Sequence, residues 1–338
     1  MQEHFMPQDG NDQEPEKREL YQQFAVKLNW KKKLRSQSGL LSLTVIVNIL
    51  LLYIIQLVAS WLISPILIQY PQFSDLVNEL YTFWLYMLAF LIPYLVYAKL
   101  VHYDFRSIPH DRPYPPVTAS CLGIALGCSI AGVLLSSIVS MFFSLFGLYP
   151  MDFSMDLPSN PLVAVLYVLN MTALPALVEE FVHRGIILGS LRKYGDGFAI
   201  VISSIVFAML HRNMVQAPNA LLLGLVLGYF FVKTNSIFTT IIIHFINNLF
   251  AVLLSIAAQW VGDWTAAAMQ GFLWLGYLAA CAVGLIYLLG VRRVQLGLVR
   301  SRCPLHTSEL HGYFWSTLPA IVMALLILWV TFLNFSRY

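Results

Sequence analysis

Two adjacent carboxylates, Glu179 and Glu180, are followed by His183 and Arg184 inside a run that is otherwise apolar enough to cross a membrane. Two further apolar runs carry Phe207 with His211, and His244 with Asn248, each pair four residues apart. A charge at the centre of a bilayer costs about 2.5–3.5 kcal/mol on insertion scales, so groups of this kind mark a protein interior or a water-filled cavity. A carboxylate assisted by an imidazole can take a proton from water. A second imidazole and a carboxamide can then donate to the oxyanion that forms when the water attacks an amide. No covalent nucleophile accompanies the set.

On a helix, Glu180 and Arg184 share one face, and Glu179 and His183 share another turned by about 100°. The Glu180–Arg184 pair neutralises itself, which leaves Glu179 as the carboxylate free for proton transfer. The same residues also read as an ion pair that only holds helices together, or as the charged end of a surface helix. A lone histidine in an apolar helix is more often a satisfied core residue than a catalyst, and His183 stays open as a second partner for Glu179. Three separate runs with polar groups at similar depth favour a common site. At 1.5 Å per residue, Glu179 lies roughly 20 Å in from Arg192, and His211 roughly 21 Å from Gly197. His244 and Asn248 lie roughly 12 and 18 Å from Ser236.

The elements that must position these groups follow from composition. The chain has 338 residues, 59% of them hydrophobic and 11% charged, with mean hydropathy +0.71. Soluble domains carry about 25% charged residues, so this is a polytopic membrane protein. Apolar runs fall at 39–63, 81–101, 117–147, 161–192, 197–211, 218–234, 236–258, 266–291 and 317–335. They predict an all-α, polytopic transmembrane helix bundle of about eight or nine spans, with a water-accessible cavity within the membrane. The fifth run is short and ends near mid-membrane, so the polar link 212–217 must be buried in protein or touch water.

Lys99, Arg106, Arg112, Arg192, Lys193, Lys233, Arg292, Arg293, Arg300 and Arg302 fall on the side of the N-terminus. Asp75, Glu79, Asp152, Asp156 and Asp263 fall on the other. That bias predicts a cytoplasmic N-terminus in the plasma membrane. The chain divides into a polar, basic segment 1–38, accessory helices 39–150, a core 161–258 that holds the motifs, and C-terminal helices 259–338 with a basic loop. Residues 16–30 carry apolar positions at helical spacing, which suits either a helix lying on an anionic membrane surface or a plain solvated helix. Cys121, Cys128, Cys281 and Cys303 have no metal-ligand spacing and read as packing residues. Glycines four apart at 123 and 127, 185 and 189, and 224 and 228 let helices approach closely. Pro93 and Pro175 sit inside spans, and Pro175 predicts a kink one turn before the carboxylates.

Other intramembrane protease signatures fail: there is no His-Glu-x-x-His for zinc and no Gly-x-Ser-Gly for a serine nucleophile. The ordered set Glu179-Glu180-x-x-x-Arg184, Phe207-x-x-x-His211 and His244-x-x-x-Asn248, each on its own apolar helix, resembles the CPBP family. These are the CAAX prenyl proteases and bacteriocin-processing enzymes, also called the Abi family. The resemblance covers about 162–254. It implies that Glu179 and His211 activate water, that His244 and Asn248 form the oxyanion hole, and that Glu180 and Arg184 hold the geometry, with Phe207 in support. It implies an intramembrane endopeptidase acting on a membrane-associated, prenylated or leader-type peptide. The expected partners are the bilayer and a peptide or protein substrate, not nucleic acid. No cofactor is expected; the alternative is zinc or another divalent metal on Glu179, His211 and His244. Two rival readings use the same residues: a proton-coupled transporter with a buried ion relay, and a family member acting as a scaffold without catalysis.

Overall fold

The computed structural model describes residues 13–150, 157–299 and 301–337. Asp152, Asp156 and Arg300, counted above in the charge bias, lie outside these residues, as does the N-terminal stretch 1–12. Helices make up 84% of the structure, and the chain is an all-α polytopic bundle.

Seven helices among the described residues are long and apolar enough to cross a membrane. In chain order the helices are α1 (Gln13–Gln69), α2 (Pro71–Leu100), α3 (Pro115–Ser144), α4 (Pro161–Tyr194), α5 (Asp196–Leu210), α6 (Ala217–Thr234), α7 (Ile237–Val261), α8 (Trp264–Val291), α9 (Thr307–Trp315) and α10 (Leu318–Leu333). The pair α9 and α10 is bent by 72° and makes an eighth crossing if counted as one. With 15 residues, α5 reaches only about 22 Å of a hydrocarbon core about 30 Å thick. The fifth apolar run therefore stops inside the layer, and nine runs yield seven or eight full crossings.

The outer surface of the bundle is apolar, as lipid requires: Trp264 is 92% exposed and Trp61 77%. The interior is organised around α4, whose Val182, Ile186, Ile187, Leu188 and Leu191 pack with Leu41 and Val45 of α1, Tyr94 and Tyr97 of α2, and Ile202 and Val206 of α5. Polar interior groups are paired across helices. Buried Gln37 of α1 donates to the Tyr97 hydroxyl (3.1 Å) and to the Ser190 hydroxyl and carbonyl (3.1 and 3.2 Å). Glu79 is buried in α2 rather than free in an outer loop, and it accepts from Asn170 Nδ2 at 2.8 Å.

A single unbroken helix, α1, runs through the polar-to-apolar boundary at 38/39. Its 57 residues extend about 85 Å. The helix continues through Ser38 and Gly39 at the boundary, so the change of polarity marks a change of surroundings, not a helix start. Close approaches account for the glycine pairs. A Cβ on Gly123 would strike the Ala280 carbonyl of α8, and one on Gly224 would lie 3.1 Å from Ser204 Cβ of α5.

Two helices that face the interior are deformed at prolines. Pro175 has no N–H for the carbonyl of Met171, and α4 breaks at Thr172 (φ −123°, ψ −67°) before resuming as Ala173–Glu180. A π-helical turn, Phe181–Leu188, follows directly. In α2, Pro93 likewise leaves the Ala89 carbonyl without its helical donor, and Asn48 Nδ2 of α1 donates to it (2.5 Å). That proline follows a second π-helical turn, Tyr86–Leu91. Turns of this kind are rare and gather at functional sites. A short antiparallel pair, β1 (Leu148–Pro150) with β2 (Phe335–Arg337), ties the end of α3 to the C-terminus.

Candidate active site

The carboxylates Glu179 and Glu180 end the straight part of α4, immediately before its π-helical turn. Glu180 is fully buried. Its Oε1 accepts from Arg184 Nη1 (2.8 Å) and from His244 Nδ1 of α7 (2.8 Å). Arg184 Nη2 donates to the Gly224 carbonyl of α6 (3.2 Å), and the guanidinium stands 4.9 Å from the centroid of the Phe207 ring on α5. The Glu180–Arg184 pair thus touches four helices. The spacing Glu180-x-x-x-Arg184 anticipates the ion pair, while the bond to His244 is an addition: the brace reaches into the site and orients an imidazole.

Hydrogen bonds fix what each ring offers. A carboxylate accepts, so His244 carries its proton on Nδ1 and turns Nε2 toward Glu179, whose Oε2 is 3.9 Å away. His211 stands at the end of α5 with Nδ1 against the Phe207 carbonyl (2.8 Å), which likewise commits Nδ1–H and leaves Nε2 with a lone pair. Glu179 Oε1 accepts from the hydroxyl of Tyr86 on α2 (3.2 Å). Asn247 Nδ2 donates to Asn248 Oδ1 (3.5 Å), which marks Nδ2 as the donor side of the Asn248 amide. Phe207 presents its ring at 4.9 Å from His211, 5.0 Å from His183 and 5.9 Å from His244, each in an edge arrangement.

Two adjoining cavities, of about 270 and 370 Å³, share Tyr86, Glu179, Phe207, His211 and Gln216 as walls. The smaller adds His183 and Arg212. The larger adds His244, Asn247 and Asn248. All four residues expected to do the chemistry therefore line one two-lobed chamber. Glu180 and Arg184 stand behind its wall. The link after α5 borders the chamber and satisfies its backbone within the protein: Asn213 Oδ1 accepts from Val215 N and Gln216 N, and Asn334 Nδ2 donates to the Arg212 carbonyl (2.7 Å).

His183 does not bond to Glu179. Its fully buried ring packs among Phe90, Tyr94 and Phe207, and neither ring nitrogen has a hydrogen-bond partner. Among the described residues, no group of three His, Cys, Asp or Glu side chains is arranged to hold a metal ion. The Nδ1 atoms of His211 and His244 are committed to protein acceptors, which leaves Nε2 as the remaining nitrogen of each ring. No step below runs through a metal ion.

Sequence reasoning missed Tyr86, Asn247 and Gln216. Tyr86 left one trace, Pro93 seven residues on, whose freed carbonyl lies in the π-helical turn that begins at Tyr86. A neutral aromatic in an apolar helix otherwise looks like packing.

A chamber walled by a carboxylate, imidazoles and carboxamides on separate helices places the chain in the class of polytopic membrane proteins with a polar interior site. Residues 161–250 match the family model described as type II CAAX prenyl endopeptidase, Rce1-like. This stretch is similar to the Rce1-like endopeptidases, consistent with the CPBP-type motifs it contains, and the similarity supports intramembrane endopeptidase activity in general. No curated protein and no solved structure matches the chain.

Proposed function

We propose that the chain is an endopeptidase that hydrolyses a peptide bond within the membrane by activated water. The observation that carries this is the seam of the chamber. There Glu179 and His211 wall both lobes, and His244, held through Nδ1 by Glu180, turns Nε2 toward Glu179.

A water between Glu179 and His211 gives its proton to the carboxylate while His211 Nε2 accepts its second O–H and aims its lone pair. The resulting hydroxide adds to the carbonyl carbon, and the carbonyl oxygen becomes an oxyanion. To donate to that oxyanion His244 must take up a second proton on Nε2, its Nδ1–H staying on Glu180, and Asn248 donates from Nδ2. Collapse of the tetrahedral adduct breaks the C–N bond, and Glu179 returns its proton to the leaving amine. Proton transfer of this kind supplies about 10²–10⁴-fold, and each oxyanion donor about 10²–10³-fold.

The substrate class is a membrane-associated peptide, prenylated or of leader type, entering a chamber that opens toward the cytoplasm. The N-terminus lies on that side of the plasma membrane. The bias of Lys and Arg toward one set of loops supports the orientation.

The test is cleavage of internally quenched membrane peptides by the full chain in liposomes. Glu179→Gln and His211→Ala should lower turnover by at least about 10²-fold at unchanged melting temperature. Wild-type turnover in both variants would end the proposal, and ion flux through Glu180 without cleavage would replace it with a transporter.

A further inference from the structure

We infer that Tyr86, which lies outside the family-matched stretch, is a positioning residue for Glu179, so that the accessory helices complete the active site. Its hydroxyl donates to Glu179 Oε1 at 3.2 Å. It also lines both lobes of the chamber. A carboxylate that is to take a proton from water through one oxygen gains from having the other held. Tyr86 holds Oε1, and Oε2 is left toward His244 Nε2. A charge-assisted bond of this kind both orients the group and fixes which lone pairs remain available.

The local structure is built to deliver that hydroxyl. Tyr86 opens a π-helical turn, and Pro93 leaves the Ala89 carbonyl within that turn without a helical donor. Asn48 of α1 fills the vacancy, which locks the turn against the neighbouring helix. The Tyr86 ring rests on Phe90, centroid to centroid at 5.8 Å, and Phe90 in turn lies 6.0 Å from His183. Packing and backbone therefore hold the ring in place without the hydroxyl, so that removing the oxygen alone isolates its role.

The inference rests on the endopeptidase reading, and two readouts keep their failures apart. In the purified full-length chain, the infrared difference between wild type and Glu179→Gln isolates the carboxyl bands of Glu179. Tyr86→Phe should shift those bands, which a purely packing role for Tyr86 would leave in place; an unshifted band overturns the inference with or without a substrate. With internally quenched membrane peptides as probe, Tyr86→Phe should lower kcat by roughly 10- to 100-fold with KM unchanged, as loss of one hydrogen bond to a charged group entails. Wild-type kcat, or a change confined to KM, overturns the positioning role. Wild-type turnover in Glu179→Gln strikes the endopeptidase reading instead, and the infrared result then still decides whether Tyr86 holds Glu179.

Discussion

The matched stretch 161–250 and the helices around it meet in one chamber but bring different chemistry to it. Among the described residues, every carboxylate and imidazole on the chamber walls comes from the matched stretch: Glu179, His183, His211 and His244. The flanking helices bring neutral groups, the Tyr86 hydroxyl and the Asn48 carboxamide. The cost of charge in a membrane explains the division. A buried ion is tolerable only where several helices satisfy it at once, as Glu180 is satisfied from α4 and α7 and Arg184 from α4 and α6. Neutral groups carry a smaller penalty and can be delivered by helices that pack on only one side of the site.

Substitutions should break that comparison unequally. The largest effect is expected at the charged junction. Glu180→Ala leaves buried Arg184 without its carboxylate and should cost about 3–5 kcal/mol, read as a large fall in melting temperature in detergent. A melting point within a degree of wild type would mean that the brace carries little. Next comes the neutral junction: Asn48→Leu strands the Ala89 carbonyl and should cost about 1–3 kcal/mol, measured in the same way. A loss as great as that of Glu180→Ala would erase the contrast between the two regions. The smallest effect belongs to the pair Arg192–Asp196 (2.7 Å), whose carboxylate is buried but whose guanidinium is one-third exposed. Asp196→Ala should change stability by about 0.2–1 kcal/mol, and less in high salt.

Much of the site is legible in the residues themselves, because charges in an apolar run are costly and cannot be there for solvation. The spacing of Glu180 and Arg184 gives their ion pair, and the short fifth run gives an α5 that ends within the membrane with His211 at its tip. Helical periodicity reveals faces but not the partners across from them. Hence the bond from His244 to Glu180 was hidden, and so was the chain of contacts from Pro93 through Asn48 to Tyr86. The continuity of α1 through 38/39 was equally invisible, since a shift from polar to apolar composition registers the membrane surface and says nothing about where a helix starts.

The central claim is that Glu179 turns water into a nucleophile against peptide bonds. Mapping peptide termini in membranes and medium from cells making the wild-type chain or Glu179→Gln, at equal protein levels, tests it most directly. The account predicts a set of new termini that appears with the wild type and is lost with the variant. Identical termini in the two would contradict it.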